Sequence, residues 1–165
     1  MTVDVGGSQL STIAGAAALY EREHAAMVRL ARLLVSSSPL ADEMVHDAFV
    51  TVLERWAKID DPGAYLRQVV VNNCRGAMRR SLVGRRKYAR LALLESVEPQ
   101  ELPHEVDETW KALDLVTPKQ RMALVLRYYL DLPVADVAEL MGERSGTVKS
   151  LVHRGLSTLR QELSP

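Results

Sequence analysis

Leu132-Pro-Val-Ala-Asp-Val-Ala-Glu-Leu-Met-Gly-Glu-Arg-Ser-Gly-Thr-Val-Lys-Ser-Leu-Val-His-Arg-Gly-Leu-Ser-Thr-Leu-Arg160 reads as two helices around a tight turn. Pro133 suits a first helical position, where its missing N–H costs nothing. Val134, Val137, Ala138 and Met141 recur at i, i+3, i+4 and i+7, which is one helix face. Gly142 follows at once, where a helix commonly ends in a left-handed residue. A second periodic run puts Val148, Leu151, Val152, Leu156 and Leu159 on a shared face. Thr147, Lys149, Ser150, His153 and Arg154 occupy the opposite one. A small residue at the helix crossing (Ala138), a turn glycine and then Val148 and Leu151 is the spacing of a helix-turn-helix. Its second helix would enter a DNA major groove. The alternative is an ordinary helical hairpin with a solvated polar face, and the rest of the chain has to decide between them.

Composition sets the limits. The chain has 165 residues, enough for one ordinary domain or two small ones, and 47% hydrophobic residues mark it as globular. Aromatics are only 5%, so Leu, Val, Ala and Met must build the core. The formal net charge is zero, so any attraction to nucleic acid has to come from local asymmetry. Cys74 is the single cysteine, which excludes an internal disulfide and a cysteine zinc site. Amid Val69, Val70 and Val71 it reads as a small packed residue. No apolar run reaches membrane-spanning length and no signal peptide is visible, so a cytoplasmic protein without membrane insertion is expected.

The order of segments is all-helical. Residues up to about Leu10 are aperiodic, and a helix is expected from Ser11 or Thr12 to Val35, with Leu19, Met27, Leu30, Ala31 and Leu34 as its apolar stripe. Ser36-Ser-Ser-Pro39 breaks it. A second helix follows from Leu40 to Ile59, its stripe formed by Met44, Val45, Ala48, Phe49, Val52, Leu53 and Trp56. Its acidic start, Asp42, Glu43 and Asp47, suits a helix N-terminus and also offers a surface to a basic partner. These acids with His46 lack partner ligands elsewhere, so a metal site is not expected.

Asp60-Asp-Pro-Gly63 is a turn, and a third helix runs from Ala64 to about Leu82 with Tyr65, Leu66, Val69, Val70, Asn73 and Ala77 on or near one face. From Arg67 to Arg90 the chain carries eight basic residues and no acid. Interleaved with Tyr65, Asn72 and Asn73, these can contact phosphates and stack on or hydrogen-bond to bases. A solvated basic face, or attraction to an acidic membrane, is the competing account.

Past Arg90 the sign reverses: Glu95, Glu98, Glu101, Glu105, Asp107 and Glu108 are interrupted by Pro99 and Pro103, which reads as an extended linker between two helical modules. The second module opens with a short helix from Trp110 to Leu115. Thr117-Pro118 then starts a helix bearing Met122, Val125, Leu126 and Tyr129 and closed by Asp131.

In this order the segments resemble an extracytoplasmic-function (group IV) sigma factor of the sigma-70 family, the small bacterial transcription-initiation subunit, and most closely an actinobacterial-type subgroup. Leu40 to Trp56, Asp61-Pro-Gly-Ala-Tyr-Leu-Arg67, Asn72, Asn73 and Arg79-Arg80 resemble the second sigma domain. Thr117-Pro-Lys-Gln-Arg121, Leu126-Arg-Tyr-Tyr129, Gly146-Thr-Val-Lys-Ser150, Arg154-Gly-Leu156 and Leu159-Arg160 resemble the fourth. The resemblance spans residues 18 to 163.

It implies an all-α protein of two modules: 1–15 a flexible tail, 16–90 the polymerase-binding and minus-ten module, 91–108 the acidic linker, 109–165 the minus-thirty-five module. Asp42, Glu43, Asp47 and Phe49 would dock on core RNA polymerase. Asp61, Tyr65, Asn72, Asn73, Arg75, Arg79 and Arg80 would meet the minus-ten promoter element, the arginines holding phosphates. Some of Tyr65, Asn72 and Asn73 are expected to be structural instead. Arg144, Ser145, Thr147, Lys149, Ser150 and Arg154 would read the minus-thirty-five element. The turn departs from the family pattern at Glu143-Arg-Ser-Gly146, and Ser145 is expected to serve as cap, shifting the helix start by one residue. The linker would run through polymerase channels that hold nucleic acid, its negative charge mimicking theirs; a merely solvated spacer is the alternative. The partners implied are core polymerase, promoter DNA and, as in many relatives, an anti-sigma factor that clamps the modules together; no cofactor is implied. The role is promoter selection in a stress or signal response, without catalysis. An autonomous helix-turn-helix regulator is the alternative, and it would leave the basic third helix unexplained. A sigma-like scaffold is a further one. An enzyme finds no nucleophile–base pair, phosphate loop or ligand cluster.

Overall fold

The computed structural model describes residues 5–35, 37–88, 108 and 111–164. Among the described residues the fold is carried by α1 (Val5–Leu34), α2 (Ser38–Glu54), α3 (Pro62–Tyr88), α4 (Pro118–Leu124), α5 (Val134–Met141) and α6 (Ser145–Leu163). No strand occurs among the described residues, and the protein is all-α. The linker proposed at 91–108 (Glu108 apart), together with Trp110, lies outside the described residues.

Helix starts follow cap chemistry. Ser37 caps α2, its hydroxyl accepting from the Leu40 N–H at 3.3 Å. Asp61 caps α3, its carboxylate accepting from the Ala64 N–H at 3.1 Å, with Pro62 at the first helical position. Thr117 and Gln120 form a reciprocal capping box at α4. Such a cap contributes about 1 kcal/mol. α1 begins at Val5, earlier than the irregular tail expected to Leu10, because Ser8 to Ala18 is alanine-rich and contains no proline. α2 stops at Glu54 rather than Ile59, and a 3-10 turn, Trp56–Lys58, leads to the Asp60–Asp61 corner.

α1, α2 and α3 pack as a three-helix unit whose buried residues include many that the periodicity picks out: Leu19, Met27, Leu30 and Leu34 on α1, Met44, Val45, Ala48 and Val52 on α2, Leu66, Val70 and Ala77 on α3; Leu33, Ala41, Val71 and Cys74 are buried beside them without belonging to those stripes. Each large side chain so buried contributes about 1.5–3 kcal/mol relative to exposure. Leu53, expected in that stripe, is 48% exposed. In the second unit α4 continues through a π turn, Val125–Tyr129, capped by Leu130 and followed by Asp131 at φ 53°. α4 crosses α6 closely enough that a Cβ on Gly155 would lie 2.8 Å from Leu124 Cδ1. α5 ends with Gly142 at φ 65°, its N–H donating to the Glu139 carbonyl and the Glu143 N–H to the Ala138 carbonyl. This is the Schellman pattern that a left-handed glycine permits.

The two units share one hydrophobic cluster, which runs from Leu33 and Leu34 through Met122 and Leu126 to Val137 and Val148. Arg121 is 4% exposed, and its Nε donates to the Leu33 carbonyl of the first unit at 2.7 Å. Its Nη1 pairs with Asp114 at 3.0 Å. Burial lowers its pKa, and the neighbouring Asp114 carboxylate opposes that shift.

Candidate nucleic-acid interface

The candidate reader helix is α6. Val148 is wholly buried and anchors its first turn, while Gly155 sits against α4. Thr147, Lys149, Ser150, His153 and Arg154 are all exposed on the other face, as are Arg144 and Ser145 at its start. The cap expectation is corrected here. Arg144 takes the N-cap position in extended conformation without a side-chain cap, and Ser145 is already helical. Glu143 is taken up by an ion pair with Lys119 of α4, which ties the turn to its own module. Arg144 and Ser145 therefore remain on the solvent side, next to the free N–H groups of the helix start, which favour a phosphate.

The basic helix α3 divides its candidates. Asn72, Arg79 and Arg80 are exposed. Asn73 is half-buried, and its side-chain nitrogen donates to the Met44 carbonyl of α2 at 3.2 Å, a tie within the core. Asp61 is engaged in capping α3. Arg75 is half-buried and donates through Nη1 to the Leu140 carbonyl of α5 at 3.2 Å. Tyr65 is half-buried, and its hydroxyl accepts from Arg55 at 3.2 Å.

Tyr65 also lines an open hollow of about 540 Å³, together with Arg55, Lys58, Ile59, Asp60, Asp61, Ala64 and Gln68. Sites for small organic groups span about 300–1,000 Å³. An aromatic ring, two carboxylates, an amide and two cations converge there. Arg55, Lys58 and Gln68 are absent from the sequence-based candidates. Their signal was available, since Arg55 and Lys58 immediately precede the acidic turn and Gln68 lies one helical turn beyond Ala64.

On α2, Asp42, Glu43 and Asp47 are exposed, Asp42 lying 3.5 Å from Arg32. Phe49 is half-buried in an aromatic cluster, 5.0 Å from Tyr20, which itself stacks on His24 at 4.4 Å. Val50 and Leu53 remain 42% and 48% exposed along the same helix. Acidic and apolar groups thus share one face of the first unit. Among the described residues no group of three or more His, Cys, Asp or Glu could hold a metal ion, and no helix is long and apolar enough to cross a membrane.

A helix-turn-helix with an exposed polar face, joined to a unit that presents a basic helix and an open hollow, is the architecture of a DNA-binding protein. Two family descriptions match in the same order: Sigma-70 region 2 over residues 19–82 and Sigma-70, region 4 over residues 107–159. The RNA polymerase sigma-E factor of Streptomyces coelicolor is 32% identical over 152 residues, covering 84% of this chain and 80% of that protein. The ECF RNA polymerase sigma factor SigM of Mycobacterium tuberculosis is 31% identical, covering 88% of this chain and 75% of its own length. A solved structure of sigma factor RpoE in complex with the anti-sigma factor NepR, from Bartonella quintana, shares the fold with a TM-score of 0.67 at 23% identity, over 85% of this chain and 92% of that one. The chain belongs to the extracytoplasmic-function branch of the sigma-70 family and is a transcription-initiation factor.

Proposed function

We propose that this protein directs core RNA polymerase to promoters by reading two separated elements, and that it acts through binding alone. The observation that carries this is the pair of exposed polar surfaces on two modules of one chain: the α6 face and the α3 arm with its adjoining hollow. Arg144, Thr147, Lys149, Ser150 and Arg154 meet base edges and phosphates of the minus-thirty-five element in the major groove. Arg79 and Arg80 hold phosphates at the minus-ten element, a salt-sensitive contribution that carries no sequence information.

The hollow takes one unstacked base. Extruding a base costs a few kcal/mol, and stacking on Tyr65 offsets about 1–3 kcal/mol of it. Asp60 and Gln68 supply the polar readout, a carboxylate suiting a base with an exocyclic amino group. The face bearing Asp42, Glu43 and Asp47, with Phe49, Val50 and Leu53, docks on polymerase. The acidic linker passes through polymerase between the modules. The protein works in the cytoplasm, where polymerase and promoter DNA are.

The test is run-off transcription with purified bacterial core polymerase on a pool of promoter fragments, with and without the protein. New start sites that appear only with the protein support the reading. No transcription, combined with tight binding of the free protein to a specific duplex, would establish an autonomous regulator instead.

A further inference from the structure

The helix that ends at Gly142 leaves one carbonyl of its last turn to a group from the other module. The Glu139 and Ala138 carbonyls are taken by the Schellman turn. The Leu140 carbonyl accepts from Arg75 Nη1 on α3 at 3.2 Å. This is a cation at the negative end of a helix, where the dipole and the last-turn carbonyls favour positive charge. Gly142 makes the approach possible: a Cβ there would lie 2.9 Å from Arg75 Nη1. Arg75 also belongs to the basic run of α3 that continues with Arg79 and Arg80, both exposed. The reader face of α6 is uncovered in this arrangement, so what the packing of the modules takes up is the root of the minus-ten arm.

Geometry requires this packing to be temporary. Elements centred ten and thirty-five base pairs upstream are about 85 Å apart at 3.4 Å per base pair. A closed body of this length has a radius of gyration of about 15 Å, so it cannot touch both. The modules must separate for the protein to engage a whole promoter.

We infer that Arg75 is a latch shared between two partners: it caps the Leu140 carbonyl in the closed free protein and holds a promoter phosphate once the modules part. The two uses exclude each other, because one guanidinium cannot lie against α5 and against the DNA backbone at once. Closed packing therefore competes with minus-ten binding through a single side chain, while leaving the minus-thirty-five reader open. The DNA half of this inference rests on the promoter-reading function proposed above; the latch half does not.

The test uses two variants that break the latch from opposite sides. R75A removes the guanidinium. G142N keeps it but displaces it, and asparagine tolerates the left-handed backbone at this position. Label pairs on E21C and Q161C, both at exposed positions, report the distance between modules in the free full-length chain. Cys74 is buried and will not take label. Circular dichroism checks that each variant is folded. In both variants the ratio of long to short distances should rise by at least about tenfold, as expected for losing a hydrogen bond to a charged group. With core polymerase and a fork DNA carrying only the minus-ten element, R75A should weaken binding and lower the salt slope by about one. G142N keeps the guanidinium and weakens the competing packing, so it should bind that DNA at least as tightly as the native chain, with the native salt slope. Unchanged distances in both folded variants overturn the latch, and a native salt slope in R75A overturns its use on DNA. A native chain that binds no promoter DNA with polymerase strikes the promoter reading and the shared use, while the distances still decide the latch alone.

Discussion

Burial pushes the Cys74 thiol up to about 12, from an ordinary value of 9.0, because the thiolate would lose its solvation by water. The sign of the consequence is fixed. Above pH 9 the unfolded chain ionises this group while the folded chain keeps it protonated, so the folded state binds more protons and loses stability as pH rises. The loss approaches about 1.4 kcal/mol per pH unit between 9 and 12 and is absent below 9. Denaturant unfolding of the native chain and Cys74→Ala across pH 7 to 10.5 checks this. The native chain should lose its advantage over the variant only in the alkaline range, and a constant difference would refute it. Asn72 and Asn73 show how finely roles divide among neighbours. Asn73→Ala removes the tie to the Met44 carbonyl and should cost about 1–2 kcal/mol in stability. Asn72→Ala, at an exposed position, should change stability by less than about 0.5 kcal/mol and weaken minus-ten binding instead. Polymerase-bound fork DNA and chemical denaturation, run on both variants, separate the two effects.

The individual helices were legible because their signals are local. Gly142 after Met141 marked the end of α5, Thr117-Pro118 marked the start of α4, and an i, i+3, i+4 pattern marked Val137, Ala138 and Met141 as buried. The solvent face of α6 followed from the same period. Errors arose where the deciding neighbour is distant in sequence. Periodicity placed Leu53 in the stripe of α2, yet no helix of the first unit reaches far enough round to cover it. It also could not tell which of two adjacent asparagines turns toward Met44, or that Arg55 and Gln68 would converge with Tyr65 on one hollow. Gly155 is a further case. Within a helix it reads as a weak helix former, but its lack of a side chain is what lets α6 approach Leu124. Gly155→Ala gains helix propensity of about 0.8–1.0 kcal/mol and meets Leu124 at 2.8 Å in a close-packed core. Overpacking costs about 1–3 kcal/mol, so a net destabilisation of about 1 kcal/mol is expected. A lowered denaturation midpoint with an unchanged slope would support it, and a raised midpoint would show that Leu124 yields easily.

On the scale of the molecule, two modules recognisable as separate in sequence are joined in the free protein by a shared apolar cluster and by Arg121. Arg121 lies in the second module, yet its Nε donates to the Leu33 carbonyl at the end of α1, beyond the reach of any local pattern. A carbonyl buried between modules needs a donor, and a charged one contributes about 1.5–3 kcal/mol. With that donor in place, opening one module exposes the core of the other, so the native chain should unfold in a single cooperative transition. Arg121→Ala leaves the Leu33 carbonyl without this donor and removes the polar clasp at the seam. The two modules should then uncouple, and thermal unfolding followed by circular dichroism and calorimetry should split into two transitions. Excess DNA carrying both elements, added with core polymerase, should bind the variant at least as tightly as the native chain, since less closed packing has to be broken before the promoter is spanned. A single transition displaced to lower temperature, with weaker promoter binding, would mean that Arg121 serves only its own module and that the apolar cluster alone holds the chain closed.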